Sequence, residues 1–139
     1  MPNSPETSPL PVILLCAPAG RFQESLRILL SGLPLLIVGP VAEARSTSAL
    51  VQAWQPTLVL LDFALEAADI SAILRGLQTE WPQVGLIALV DNVDQSAEAR
   101  ARGIKNVLLR GFRLEELHAA IRSQLANVAQ PAAGPLTPD

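Results

Sequence analysis

A single carboxylate at the end of an apolar run is the residue best placed for chemistry in this sequence. The stretch TLVLLDFAL, residues 57–65, consists mainly of strand-forming apolar residues that lead to Asp62. A carboxylate at such a position can be a nucleophile or a metal ligand, or it can be a structural group that accepts hydrogen bonds in the following loop. The stretch alone does not choose among these three roles.

The other reactive residue types are weaker candidates. Cys16 is the one cysteine, so it has no disulfide partner, and its place at the end of an apolar run is typical of an inert buried thiol. His118 has no second metal ligand at helical spacing, so we expect a surface histidine. Glu66, Asp69 and Asp91 could supply oxygen ligands to a metal from neighbouring loops, although acids that follow strands are common.

Composition and charge narrow the function classes. The 139 residues are 50% hydrophobic and 17% charged, which is typical of one globular domain. Thirteen acidic and ten basic residues give a net charge of −3 without a basic stripe, so we expect no binding to nucleic acid. There is no apolar stretch of about 18 residues and no basic residue before the first apolar run, so we expect no membrane span and no secretory signal. Together with the single cysteine, this indicates a cytoplasmic protein.

Short apolar runs alternate with helical patterns along the chain. Five runs are interpreted as strands, at residues 12–16, 35–38, 58–61, 84–90 and 105–109. Apolar residues at helical spacing mark helices within residues 22–33, 46–54, 70–77, 95–104 and 114–128. This alternation predicts a single doubly wound α/β domain of flavodoxin-like class, with a five-stranded parallel sheet in the order 2-1-3-4-5.

The same pattern sets the domain limits and the place of Asp62. Residues 1–11 and 129–139 are rich in Pro, Ser, Thr and Ala, so they are interpreted as a flexible N-terminal tail and a C-terminal tail or linker around a domain at 12–128. In a doubly wound sheet, ligands and reactive groups lie outside the carboxyl ends of the strands. Asp62, at the end of the third strand, is therefore expected at the reactive edge.

Several segments together resemble the receiver domains of bacterial two-component response regulators. The similarity covers roughly residues 12–125. ILLCAPAGRFQESLRILL is similar to the family's first strand and helix, GPVAEARSTSALVQAWQPTLVLLD to its second strand, second helix and third strand, and RGIKNVLLRGFRLEELHAAIR to its fifth strand and last helix. The resemblance implies a receiver fold in which the aspartate that accepts a phosphoryl group is Asp62.

The remaining site positions of the family carry different residues here. The acid pair that holds magnesium corresponds to Ala17 and Pro18, the Thr or Ser of the fourth strand to Val90, and the Lys of the fifth strand to Arg110. Asp62 would have to hold a magnesium ion nearly alone, and an isopropyl group cannot bond a phosphoryl oxygen. The resemblance thus implies an atypical receiver without a cofactor, and we expect the Arg110 guanidinium to pair directly with Asp62 in place of the metal.

Three functions remain open. The first is a pseudo-receiver that signals through protein–protein contacts, or as a homodimer, by the family's contact face, here about residues 95–125; charges in RLEELHAAIRSQL could pair across a two-fold axis. The second is a degenerate receiver that still accepts a phosphoryl group on Asp62 from a histidine kinase. The third is a small-molecule-binding flavodoxin-like module, although CAPAGRF is not a Gly-rich phosphate loop. No nucleophile, base and orienting group form a set, so we expect no enzyme.

Overall fold

The structure, a computed structural model, describes residues 10–18 and 32–129, of which residues 127–129 are described by their backbone alone. Its strands are β1 (Val12–Cys16), β2 (Leu36–Val41), β3 (Leu58–Asp62), β4 (Gly85–Val90) and β5 (Asn106–Leu109), and its helices are α1 (Ala44–Trp54), α2 (Ala67–Glu80), α3 (Val93–Ala101) and α4 (Leu114–Ala129). Most of the helix predicted within residues 22–33, and nearly all of the two predicted tails, lie outside the described part of the chain.

The five strands form one parallel sheet. Their order is β2-β1-β3-β4-β5, which confirms the predicted doubly wound fold class. Cys16 pairs with Leu61, and Val90 pairs with Leu109, so the strands reach their carboxyl ends at nearly the same level. The residues that follow them therefore share one edge of the sheet.

Apolar side chains cover both faces of the sheet. One core cluster joins β1, β3 and β4 to α1 and α2, and a second joins the same strands to α4. Successive residues of a strand point to opposite faces, so neighbours such as Leu60 and Leu61 enter different clusters. Strand β3 is buried along its whole length, as expected for a central strand of a parallel sheet.

Among the element boundaries that differ from the sequence-based prediction, two have a clear physical reason. Strand β2 continues past Val38 to Val41, because Gly39 fits against β1: with φ at 108°, a Cβ there would lie 2.5 Å from the Leu15 carbonyl oxygen. Helix α3 stops before Gly103, whose φ of 95° ends the helix and whose N–H donates to the Arg100 carbonyl. None of the described helices is long and apolar enough to cross a membrane.

Candidate functional site

Asp62 is the last residue of β3, and its side chain is only 2% exposed. Its Oδ1 accepts a hydrogen bond of 2.9 Å from the backbone N–H of Ala64, and its carbonyl accepts one of 3.2 Å from Leu65. A side-chain oxygen bonded to the N–H two residues further on is the pattern of an Asx turn. The carboxylate therefore shapes the loop that leads into α2, which is the structural role left open by the sequence.

The positions of the family's acid pair do not fit a magnesium ion. Ala17 is 1% exposed within the α4-side core, and its N–H donates to the Val41 carbonyl at 2.9 Å. Pro18 has no side-chain oxygen. Across the described ranges, no group of three or more His, Cys, Asp or Glu side chains could hold a metal ion. Because magnesium requires several oxygen ligands, this donor set does not suit it.

Val90 ends β4 as predicted, with its side chain 3% exposed in the core. Its carbonyl accepts a 2.8 Å hydrogen bond from the backbone N–H of Arg110. The position thus belongs to the packed sheet, and its isopropyl group has neither a donor nor an acceptor for an incoming oxygen.

The ion pair expected between Asp62 and Arg110 stays a prediction, since the ion pair described for residues 10–18 and 32–129 joins Arg102 to Glu98 instead. Asp62 is buried, whereas Arg110 is exposed directly after β5. The chain turns directly after Arg110. A turn with φ of 92° at Gly111, closed by a 3.0 Å bond from Phe112 N–H to the Leu109 carbonyl, leads the chain away towards α4. An exposed guanidinium also keeps its hydration, which a buried pair would lose.

The other candidate ligands serve separate purposes. Asp69 Oδ1 accepts a 3.1 Å hydrogen bond from the Ala44 N–H at the start of α1. Glu66 precedes α2 without a capping bond from its side chain. Cys16 is fully buried with its Sγ 3.7 Å from Thr47 Oγ1, and burial raises its pKa to about 12, so the thiol is neutral at physiological pH.

Sequence reasoning missed one residue at this edge, Gln95, which connects two loops. Its Oε1 accepts a 2.7 Å bond from Asp91 N–H after β4, and its Nε2 donates a longer bond of 3.4 Å to the Phe63 carbonyl after β3. Its own N–H donates to the Asn92 side chain at 2.8 Å. An Asn followed by Gln three residues later is the sequence signature of a capping box, and that signal could have identified it.

Asp69 supplies to α1 a cap that the helix's own sequence lacks. Glu43, the N-cap residue of α1, makes no capping bond, so the carboxylate of α2 fills that place. We expect Asp69→Ala to lower the free energy of unfolding in urea by about 0.5–2 kcal/mol. Glu66→Ala removes an exposed acid one turn earlier and should change it by less than about 0.5 kcal/mol. Equal effects of the two substitutions would contradict the assigned role.

Three comparisons with known proteins bear on this fold. No family model and no curated protein sequence matches the chain. A signal receiver domain from Vibrio parahaemolyticus is similar in structure, with a TM-score of 0.77 and 15% sequence identity over 92% of this chain and 99% of that one. The signal receiver domain of an HD domain-containing protein from Pseudomonas fluorescens gives 0.76 and 24% over 87% and 98%. A CheY-like receiver domain protein from Methanospirillum hungatei gives 0.74 and 16%, again over 87% and 98%.

The chain has the receiver-domain fold. In this receiver fold, the ends of β1, β3, β4 and β5 form one edge of the sheet, and Ala17, Asp62, Val90 and Arg110 occupy it. The sequence placed these four positions at the carboxyl edge, where the structure has them. It did not foresee which of them are in contact.

Proposed function

We propose that this chain is an atypical receiver domain that acts in cytoplasmic signal transduction through protein–protein contacts, without magnesium-dependent phosphorylation of Asp62. The proposal rests on the burial of Ala17 in the core, at the position where a receiver needs a metal ligand. A metal ion offsets the charge of a transferring phosphoryl group by several kcal/mol. Losing about 3 to 5 kcal/mol of that stabilisation slows the transfer by roughly 10² to 10⁴.

The loops beside Asp62 support a fixed rather than a switching edge. Gln95 holds the loop after β4 to the loop after β3, and Val90 has no hydroxyl that could follow a phosphoryl group. A phosphoryl group on Asp62 would therefore form no hydrogen bond with the side chain of Val90, and α3 would not be moved by that contact. Packing, the Asp62 hydrogen bond to Ala64 and the amide hydrogen bonds of Gln95 support one conformation of this edge.

The contact surface of the proposed module consists of α3, β5 and α4, within residues 93–125. Three of the six exposed large apolar side chains in the described part of the chain lie on it: Val93 (72% exposed), Leu109 (45%) and Leu114 (43%). Exposed apolar groups of this kind mark interaction sites when they cluster. We propose that a protein partner or a second copy of this chain occupies this surface, which carries exposed charges of both signs at Arg113, Glu115, Glu116 and Arg122.

Intact-mass spectrometry after incubation with acetyl phosphate and magnesium tests the absence of phosphoryl transfer. We expect no phosphoryl adduct on the wild-type protein and none on the Asp62→Asn variant, which keeps the Oδ1 acceptor for Ala64. A stoichiometric adduct on the wild type that is lost in the variant would refute the proposal. The chain would then be a phosphorylatable receiver that holds its phosphate in another way.

A further inference from the structure

A cavity of about 290 Å³ lies at the amino edge of the sheet, away from the edge that carries Asp62. Two short loops contribute most of its lining: residues 55–57, which join α1 to β3, and residues 81–84, which join α2 to β4. Judged by the volume that a water molecule takes in the liquid, a cavity of this size holds roughly ten waters. That is room for one small ring-containing molecule, at the lower end of the usual range for ligand sites.

Part of the cavity lining is apolar. Val51 of α1 is fully buried, Pro56 is buried and Val84 is half-buried. Trp81, the residue after α2, also lines the cavity and packs against the core cluster on the α1 and α2 side of the sheet. An aromatic ring beside aliphatic groups favours a ligand that is itself a ring and that removes apolar surface from water when it binds.

Backbone hydrogen bonds hold both loops in place. Thr57 N–H donates to the Val12 carbonyl at 2.9 Å, and the Thr57 carbonyl accepts a bond of the same length from Gly85 N–H. In the other loop, Val84 N–H donates to the Trp81 carbonyl at 3.1 Å. The cavity is therefore formed before any ligand arrives, and binding does not have to order its walls.

The polar side chains of the lining are neutral and uncommitted. They are the amides of Gln55 and Gln83, the hydroxyl of Thr57 and the indole N–H of Trp81, and none of them bonds to another residue in the described part of the chain. An amide offers a donor and an acceptor side by side, a hydroxyl offers either, and an indole offers a donor. All the lining residues of the described ranges are uncharged, so the cavity suits a neutral ligand that has donors and acceptors on its edge.

Gln55 has a backbone conformation that its residue type disfavours. Its φ of 49° and ψ of 62° are left-handed, and it is the one non-glycine residue with a positive φ in the described ranges. Glycine is the usual residue after a helix in this conformation, because it has no Cβ to oppose it. Residues in disfavoured conformations cluster at ligand sites. A glutamine at this position is a second sign, independent of the cavity, that a ligand binds here.

We propose that this cavity binds a neutral planar heterocycle of about nucleobase size, with its ring against the Trp81 indole and its edge hydrogen-bonded to the amides of Gln55 and Gln83. Stacking on an aromatic ring and a donor–acceptor edge paired with an amide are contacts that such heterocycles make with proteins. The inference goes beyond the proposed function and does not depend on it. The cavity lies at the other edge of the sheet from Asp62, so its ligand needs no phosphoryl group.

A nuclear magnetic resonance titration of the full chain tests the proposal. The probes are adenine, cytosine and nicotinamide at up to about 5 mM, a range that detects millimolar dissociation constants. We expect at least one probe to shift the backbone amide signals of residues 51–57 and 81–84 and the indole N–H signal of Trp81. Trp54 is 47% exposed at the end of α1 and does not line the cavity, so its indole signal should not move.

Benzene tests the role of the hydrogen bonds, because it is a ring without donors or acceptors. It should bind at least about fivefold more weakly than the best heterocycle, since one neutral hydrogen bond contributes about that factor.

Gln55→Gly is the decisive substitution, because it should change stability and binding in opposite directions. Glycine relieves the left-handed backbone, so the Tm should rise, whereas loss of the amide should weaken binding of the best heterocycle by about fivefold. Gln83→Ala, in the other loop, should weaken binding by a similar factor without any change at residue 55. Gln52→Ala is the matched control, since this exposed amide of α1 does not line the cavity and its loss should leave the affinity unchanged.

The possible results separate this inference from the proposed function. Unchanged spectra with all three heterocycles would overturn the inference. Binding that survives both Gln55→Gly and Gln83→Ala, or benzene that binds as tightly as the heterocycles, would also overturn it, because apolar contact alone would then hold the ligand. Phosphoryl transfer to Asp62 is measured separately by mass spectrometry, so the failure of either proposal leaves the other intact.

Discussion

The substitution Ala17→Asp, which restores one acid of a receiver's usual pair, should destabilise this protein severely rather than recreate a metal site. Ala17 lies 1% exposed in the α4-side core, and the register of β1 and β3 continues so that it neighbours Asp62. A second carboxylate there would be buried, unpaired and next to a like charge. We expect a loss of about 3–5 kcal/mol in the free energy of unfolding at pH 7, measured in urea.

The pH dependence of that loss identifies its electrostatic origin. Burial and the neighbouring carboxylate raise the pKa of the introduced group in the folded state above its unfolded value of about 4. Below about pH 4 the group is protonated in both states, so the charge-related cost is absent, and the cost grows as the pH rises above that value. The difference in stability between the variant and the wild type should therefore shrink as the pH is lowered towards 4.

Two control variants separate the effect of the introduced charge from the effects of side-chain size and position. Ala17→Asn has nearly the same shape without the charge, so it should cost less than Ala17→Asp at pH 7 and show little change with pH. Pro18→Asp places an acid at the other position of the pair, which is less buried, and should be milder. If Ala17→Asp proved as stable as the wild type and bound magnesium, the core at this edge would be more adaptable than its packing indicates.

The second large effect is expected in α4, at Leu117. This side chain is fully buried with Ile121 against β3 and β4, in the core cluster on the α4 side of the sheet. Leu117→Ala removes its apolar contacts and leaves a cavity, so the free energy of unfolding should fall by about 2–5 kcal/mol. Chemical denaturation with intrinsic tryptophan fluorescence measures this change.

Leu114→Ala is the matched control for Leu117→Ala, because it makes the same substitution one turn earlier in the same helix. Leu114 is 43% exposed at the start of α4, so its truncation should cost less than about 1 kcal/mol. Similar losses for both variants would mean that α4 is rotated relative to the sheet or that Leu114 is covered in solution. Repeating the measurement at several protein concentrations separates these explanations, since only an association would depend on concentration.

The sequence predicted the fold well because its strands carry a strong local signal. Continuous apolar runs such as that at residues 58–61 mark central parallel strands, and four of the five predicted strands end within one residue of the observed position. Strand β2 was predicted too short at its carboxyl end because Gly39 and Pro40 normally end strands. What keeps the chain in the sheet there is the close approach of Gly39 to β1, a tertiary contact with no local pattern.

The site was predicted in position but not in its contacts. The end of each strand follows from the hydrophobic pattern, so Asp62 and Val90 lie where the sequence placed them. The hydrophobic pattern does not indicate the direction of a long side chain beyond the strand end, and in the structure Arg110 is exposed whereas Asp62 is buried. The capping bond from Ala44 to Asp69 is likewise invisible in sequence, because it joins residues 25 positions apart on different helices.

The bridge made by Gln95 sets an energy scale for motion at this edge. An amide carries no charge, so the attachment of the loop after β4 to the loop after β3 should be insensitive to salt and to pH in the physiological range. Two neutral hydrogen bonds of about 1 kcal/mol each would leave the detached loop a minor population of roughly a few per cent. A binding partner that prefers the detached loop would therefore have to contribute about 2 kcal/mol to make that state as populated as the attached one.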